Sequence, residues 1–200
     1  MQFSSKLIED AVNAFAGLPG IGKKTALRLV LNLVQRPTED SVSFARAVAN
    51  MREQIQHCVV CGNLSDAEKC SICKDTRRDK TTICVVESIR DVMAIEETQQ
   101  YRGVYHVLGG VISPIEGVGP ADLNIDTLIM RAKHDEVREV IMAISPTIEG
   151  DTTIFYINRQ LLEVDVKLST IARGVSFGGE LEYADEVTLG RSIVARRDIE

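Results

Sequence analysis

Cys58-Val-Val-Cys61-Gly-Asn-Leu-Ser-Asp-Ala-Glu-Lys-Cys70-Ser-Ile-Cys73 carries two Cys-x-x-Cys knuckles with eight residues between them. Each two-residue spacer turns the chain tightly enough for both sulfurs of a knuckle to face one ion, and four thiolates at about 2.3 Å complete the tetrahedral shell of zinc. We therefore read Cys58, Cys61, Cys70 and Cys73 as ligands of a single structural zinc ion. A closed shell leaves no position for a reactive water, so this ion holds structure and does no chemistry. Disulfides and a redox pair are the competing readings. The chain opens without an apolar signal segment, which makes a reducing cytoplasm the expected compartment and metal the expected partner of paired knuckles; a thioredoxin-like motif needs one knuckle, not two. The fifth cysteine, Cys84, lies in the apolar run Ile83-Cys84-Val85-Val86 and reads as a buried strand residue.

Upstream of the knuckles, residues 5–16 place Leu7, Ile8, Ala11, Val12 and Phe15 at helical spacing and stop at Gly17. Leu18-Pro19-Gly20-Ile21-Gly22-Lys23-Lys24 follows, then a second periodic run through Ala26, Leu27, Val30, Leu33 and Val34. The unit is a helical hairpin. Gly20 and Gly22 permit tight backbone geometry and close approach, leaving unpaired N–H groups at the start of the second helix. With Lys23 and Lys24 in the first helical turn and Arg28 one turn on, the site suits a backbone phosphate of nucleic acid and carries no base readout. The alternative is an ordinary turn between packed helices with solvated lysines. Pro37 closes the second helix, and Thr38 is placed to cap a third that runs to about Gln56 and leads directly into the knuckles.

Downstream, Thr81-Thr-Ile-Cys-Val-Val86 is a continuous β-rich run, the mark of a strand covered on both faces. A helix over 88–98, a strand over 104–108, a Gly/Pro-rich loop over 109–120, a helix over 124–134, a strand over 140–144, a helix over 152–163 and a strand over 166–171 complete an alternation typical of an open, mostly parallel α/β sheet. Residues 174–180 read as a loop, and 185–197 as either a short basic-ended helix or an arm that docks on a neighbouring subunit.

Charge and composition bound the function. The chain of 200 residues is 44% apolar and 26% charged, with no tryptophan, which describes a globular protein with no membrane-spanning run. The net charge of −6 argues against nucleic acid only when averaged over the chain. Basic residues gather at Lys23, Lys24 and Arg28, at Arg77, Arg78 and Lys80, and at Arg191, Arg196 and Arg197. A small positive face on an acidic body can track phosphates, with an affinity that falls as salt rises.

In open α/β sheets the ligand site lies beyond the carboxyl ends of the strands. Glu87 ends the first strand there, and Glu149-Gly150-Asp151 follows the third. Two readings stand side by side: three carboxylates converging on magnesium, or acidic residues that cap helices and complement their dipoles. The loop around Glu116 flanks the same edge.

The order of these parts, with Leu-Pro-Gly-Ile-Gly-Lys-Lys, the four cysteines, Cys-Val-Val-Glu-Ser, Pro-Thr-Ile-Glu-Gly-Asp and Gly-Val-Ser-Phe-Gly-Gly-Glu-Leu-Glu-Tyr, resembles the RecR family of bacterial recombination mediators over nearly the full length. The resemblance implies a multidomain α+β protein: a helix-hairpin-helix module over 1–56, a zinc finger over 57–79, a Toprim domain over 80–173 and a C-terminal arm or oligomerisation segment over 174–200. It also implies ring-like homotetramers that clamp DNA and act with RecO and RecF to load recombinase on single-stranded gaps. Carried over by position, Lys23 and Arg28 are the DNA contacts and Glu87, Glu149 and Asp151 the Toprim acidic positions. Toprim enzymes pair a strand-end Glu with Asp-x-Asp, whereas this chain has Glu149-Gly-Asp151, and it offers no separate domain to supply a nucleophile. The expectation is therefore a non-enzymatic mediator, with Tyr101, Tyr105, Tyr156 and Tyr183 as packing residues. A magnesium-dependent nuclease, nickase or primase is the alternative, and an adaptor that touches only protein is a third reading.

Overall fold

In the computed structural model of the chain, residues 3–134, 136–175, 178 and 180–196 are described; Ser176, Phe177, Gly179 and Arg197, named above, lie outside them. The chain divides into two compact units, Met1–Ile55 and Gln56–Glu200.

In the first unit, helices α1 (Lys6–Ala16) and α2 (Lys23–Val34) form the hairpin expected from their spacing. Val12 and Ala26 are fully buried between them and Val30 nearly so, ringed by Ile8, Phe15, Ile21 and Leu27. Helix α3 (Thr38–Gln54) starts one residue earlier than a Thr38 cap would allow, because Pro37 occupies the cap position and Thr38 the first helical one. Phe44 of α3 stacks on Phe15 with ring centroids 6.2 Å apart. No residue of α3 is buried among the described residues, and Val42, Val48 and Met51 stay about half exposed.

The second unit opens with the hairpin of β1 (Gln56–His57) and β2 (Leu64–Ser65) and the short helix α4 (Ser71–Lys74). Strands β3 (Asp79–Val86), β4 (Gly103–Val107), β5 (Glu139–Ala143) and β6 (Lys167–Thr170) then form a parallel sheet in the order β4-β3-β5-β6. Alternation along β3 sends Ile83 and Val85 into a core with Leu128 of α6 (Ile125–Ala132) and Ile157 of α7 (Ile148–Gln160). Cys84 and Val86 point to the other face, against Val92 of α5 (Ile89–Glu97). Both faces are thus covered, as the unbroken apolar run requires. Cys84 is 3% exposed, as its sequence setting implied.

Beyond the start of α3, the structure departs from the sequence reading at α7 and Tyr183 and decides one alternative near the C-terminus. Helix α7 begins at Ile148, one turn ahead of the expected 152, because the Thr147 hydroxyl accepts a hydrogen bond from the Gly150 amide at 3.0 Å and caps it there. Of the two readings of the C-terminal stretch, the helix is found: α8 (Glu186–Val194), capped by Asp185, whose carboxylate accepts from the Thr188 amide at 2.9 Å. Tyr183 is 80% exposed and packs no core, whereas Tyr101 and Tyr105 pack edge to face at 5.1 Å. No helix among the described residues is long and apolar enough to cross a membrane.

His106 on β4 is 1% exposed, and its neighbours fix its tautomer. Nε2 lies 2.7 Å from the Asn124 carbonyl, which can only accept, so Nε2 carries the proton; Nδ1 accepts from Arg131 Nη1 at 2.9 Å. Burial, helped by the Arg131 charge, pulls its pKa from 6.5 down to about 4. A depressed folded-state value means the unfolded chain takes up the proton first, so the stability this site contributes is present above 6.5 and lost as pH falls towards 4. The shift corresponds to roughly 3 kcal/mol. Denaturant titrations at stepped pH should therefore show His106→Gln losing less stability than wild type between pH 6.5 and 4; parallel slopes would refute the assignment.

Candidate functional site

The four cysteines meet because each knuckle is fixed by its own backbone. In the first, the Cys58 amide donates to the Asn63 carbonyl at 2.7 Å and the Gly62 amide to the Cys58 carbonyl at 2.9 Å, closing the β1–β2 turn. In the second, Cys70 caps α4 and its sulfur accepts from the Cys73 amide at 3.5 Å. The four sulfurs lie within 4.8 Å of one another, and none is in a disulfide. Cys61 and Cys70 sulfurs stand 3.6 Å apart, close to the roughly 3.8 Å edge of a tetrahedron with 2.3 Å zinc–sulfur bonds. Distances, number and chemistry of the donors all fit zinc.

The thiols of Cys58, Cys61 and Cys70 sit in unequal surroundings. At Cys58 burial pushes the pKa up, but surrounding amides outweigh it and bring it down to about 6. Hydrogen bonding with Cys73, then burial, pushes Cys61 up, and burial pushes Cys70 up. Protons held by Cys61 and Cys70 must leave when a metal binds, so uptake releases acid.

The finger sits on the sheet. The Val107 amide of β4 donates to the Cys61 carbonyl at 2.8 Å. Gly62 has φ +73°, and a Cβ there would stand 2.9 Å from the Val107 carbonyl, so both conformation and space demand glycine. Ile72 of the finger joins the core of the α5 face.

At the hairpin turn, Gly20 takes φ +79°, which accounts for glycine there. Gly22, the N-cap of α2, has an ordinary extended backbone, and a methyl group added there would meet nothing among the described residues within 4 Å. Neither conformation nor space among the described residues requires glycine at 22. The amides of Lys23, Lys24 and Thr25 have no acceptor among the described residues, and Lys23, Lys24 and Arg28 are exposed with no carboxylate partner there. Lys24 and Arg28 line a shallow groove down α2 with Asn32 and Gln35.

Register brings the acidic positions to one edge, because Val86 pairs with Ala143 and the carboxyl ends of β3 and β5 lie side by side. It does not bring them onto one ion: among the described residues the four thiols are the one group so disposed. Glu87 instead accepts a hydrogen bond from the Ser145 amide at 2.5 Å. Asp151 pairs with Arg173 at 2.6 Å and Arg191 at 3.7 Å, and the Arg173 hydrogen bond leads in holding its carboxyl below the usual range. Glu149 is partly exposed in the first turn of α7, where a carboxylate also complements the helix dipole. The sequence reading missed Arg173, which lies 22 positions from Asp151 and belongs to no periodic pattern.

A glycine-turned helical hairpin, a four-thiol finger and a parallel sheet with acids at its carboxyl edge define a modular zinc-finger protein of Toprim type. Profile comparison matches residues 8–52 to the RecR helix-hairpin-helix, 55–75 to the RecR four-cysteine zinc finger domain, 81–172 to the Toprim domain and 174–197 to the RecR C-terminal region. The chain is 60% identical to recombination protein RecR of Phocaeicola vulgatus, covering 98% of this chain and 95% of that one. It is also 60% identical to that of Flavobacterium johnsoniae, at 98% and 95% coverage, and 58% identical to that of Cytophaga hutchinsonii, at 98% and 96%. The chain belongs to the RecR family of recombination proteins.

Metal analysis of the purified protein should return about one zinc per chain, and Cys61→Ser should lower both zinc content and thermal stability, because ion binding is folding energy at such a site. A zinc-free protein with an unchanged melting curve would contradict the reading.

Proposed function

We propose that the protein is a non-enzymatic, DNA-binding mediator of recombinational repair in the cytoplasm. The observation that carries this reading is the hairpin turn, where three exposed cations without carboxylate partners among the described residues surround open helix-start amides at a glycine the chain itself does not need. A phosphate seated on those amides would come close enough to forbid a side chain at 22. Gly20, Gly22, Lys23, Lys24 and Arg28 are then the DNA-binding set, and Cys58, Cys61, Cys70 and Cys73 hold a zinc that does no chemistry.

The finer parts of the reading follow the family. Subunits assemble as a homotetramer that clamps DNA, in keeping with the exposed apolar residues Val42, Val48 and Met51 of α3 and Val187, Ile193 and Val194 of α8. The edge bearing Glu87, Glu149 and Asp151 recruits partners, with RecO and RecF the ones the resemblance implies, and recombinase is loaded on single-stranded gaps. Glu87 and Asp151 are already satisfied by protein donors, which favours recruitment over magnesium chemistry.

Lys23→Ala with Arg28→Ala should weaken DNA binding at least tenfold at moderate salt and make log affinity about two units less steep in log salt, with the circular dichroism spectrum unchanged. Undiminished binding would remove the hairpin from the mechanism. Supercoiled DNA incubated with the protein and magnesium should stay intact; nicking abolished by Glu87→Gln would establish the enzyme instead.

A further inference from the structure

Arg131 stands in the last turn of α6. Its Nη1 donates to the Tyr105 carbonyl at 2.8 Å and to His106 Nδ1 at 2.9 Å, which draws the guanidinium inward against β4, the strand whose end is bonded to Cys61. With Cys73, Val59 and Val60 of the finger, it lines a cleft of about 520 Å³ between finger and sheet. Both of its hydrogen-bond acceptors are neutral. Among the described residues no carboxylate lies within 4.0 Å of it, whereas Arg78, another partly buried arginine of this unit, is paired with Glu96. Burial pulls the Arg131 guanidinium below its ordinary value, and the sulfurs of Cys73, Cys61 and Cys58, once ionised, oppose that shift.

A zinc ion with four thiolates carries two net negative charges, and such a dianion in a partly desolvated place is stabilised by a fixed cation nearby. We propose that Arg131 is the counter-cation of the zinc–tetrathiolate centre, supplied by the α/β domain to the finger. It is a positioning residue that touches no ligand atom in the structure and acts through charge. The consequence is a link in both directions: the sheet strengthens the finger's hold on zinc, and the loaded centre neutralises a guanidinium that would otherwise sit against β4 without an anion. The inference rests on the zinc reading of the four cysteines.

The test uses the full-length, zinc-loaded protein and competition with a chromophoric zinc chelator at fixed pH and salt. Arg131→Gln keeps a donor for the Tyr105 carbonyl and loses the charge; Arg131→Lys keeps the charge and loses the planar fork. Arg131→Gln should release zinc at about 10- to 100-fold lower chelator concentration, in the range seen for groups that support metal ligands. Arg131→Lys should stay within a few-fold of wild type, and so should Lys133→Gln, which removes an exposed cation from the end of the same helix. Equal weakening in Arg131→Gln and Arg131→Lys would show that packing and not charge is at work, and would overturn the proposal. Wild-type affinity in Arg131→Gln would overturn it too, as would a loss in Lys133→Gln as large as that in Arg131→Gln. Should Arg131→Gln fail to fold, Arg131→Lys decides alone: retained affinity supports the proposal and a tenfold loss overturns it. A wild-type protein that holds no zinc would instead be a failure of the zinc reading.

Discussion

The hydrogen bond from the Val107 amide to the Cys61 carbonyl fastens a metal knuckle to the last residue of a sheet strand. The Cys61 carbonyl belongs to a turn whose shape is set by where four sulfurs must stand, so the tetrahedral demand of one ion is transmitted to the end of β4. Gly62 makes the joint rigid, since its left-handed backbone presses directly on the Val107 carbonyl with no side chain between. Asn124 closes the joint from the other side, donating to the same carbonyl at 3.0 Å. Finger and sheet therefore share a boundary made of backbone polar groups, each satisfied by the other, and neither could be withdrawn without stranding donors and acceptors.

The acidic edge is built on a different principle. Parallel pairing of β3 with β5 delivers Glu87 and the start of α7 to the same place, yet two of the three carboxylates, Glu87 and Asp151, are spoken for. Glu87 ties the loop after β5 to the end of β3, and Asp151 gathers Arg173 and Arg191 from the chain that follows the sheet. Both contacts brace the edge from within the chain. The cations that Asp151 meets are guanidinium groups, one of them from α8.

Much of this was legible in the sequence wherever the cause is local. Four cysteines at knuckle spacing admit few arrangements, and the helices of the first unit announce themselves through a 3.6-residue rhythm. The strand read at 81–86 showed itself because a continuous β-rich run must be covered on both faces, and the structure extends it back to Asp79. What stayed hidden depends on partners far apart in the chain. The start of α7 was missed because Ser145-Pro146-Thr147 is polar and proline-bearing, and only the Thr147 hydroxyl on the Gly150 amide reveals that the helix has begun. The arginines on Asp151 and the inward turn of Arg131 follow from tertiary proximity, for which spacing carries no signal.

Gly150 ties the acidic motif to its surroundings. A methyl group at that position would run into the Ser145 carbonyl, with Ile144 close behind, so the first turn of α7 lies flush on the loop that leaves β5. The residue between the two acids is thus dictated by volume and not by reactivity. Transplanting an acidic pair from a metal-using relative into this scaffold would succeed sterically only if the intervening residue contributed a bare hydrogen, so the permitted vocabulary of the motif is narrower here than its outward chemistry suggests.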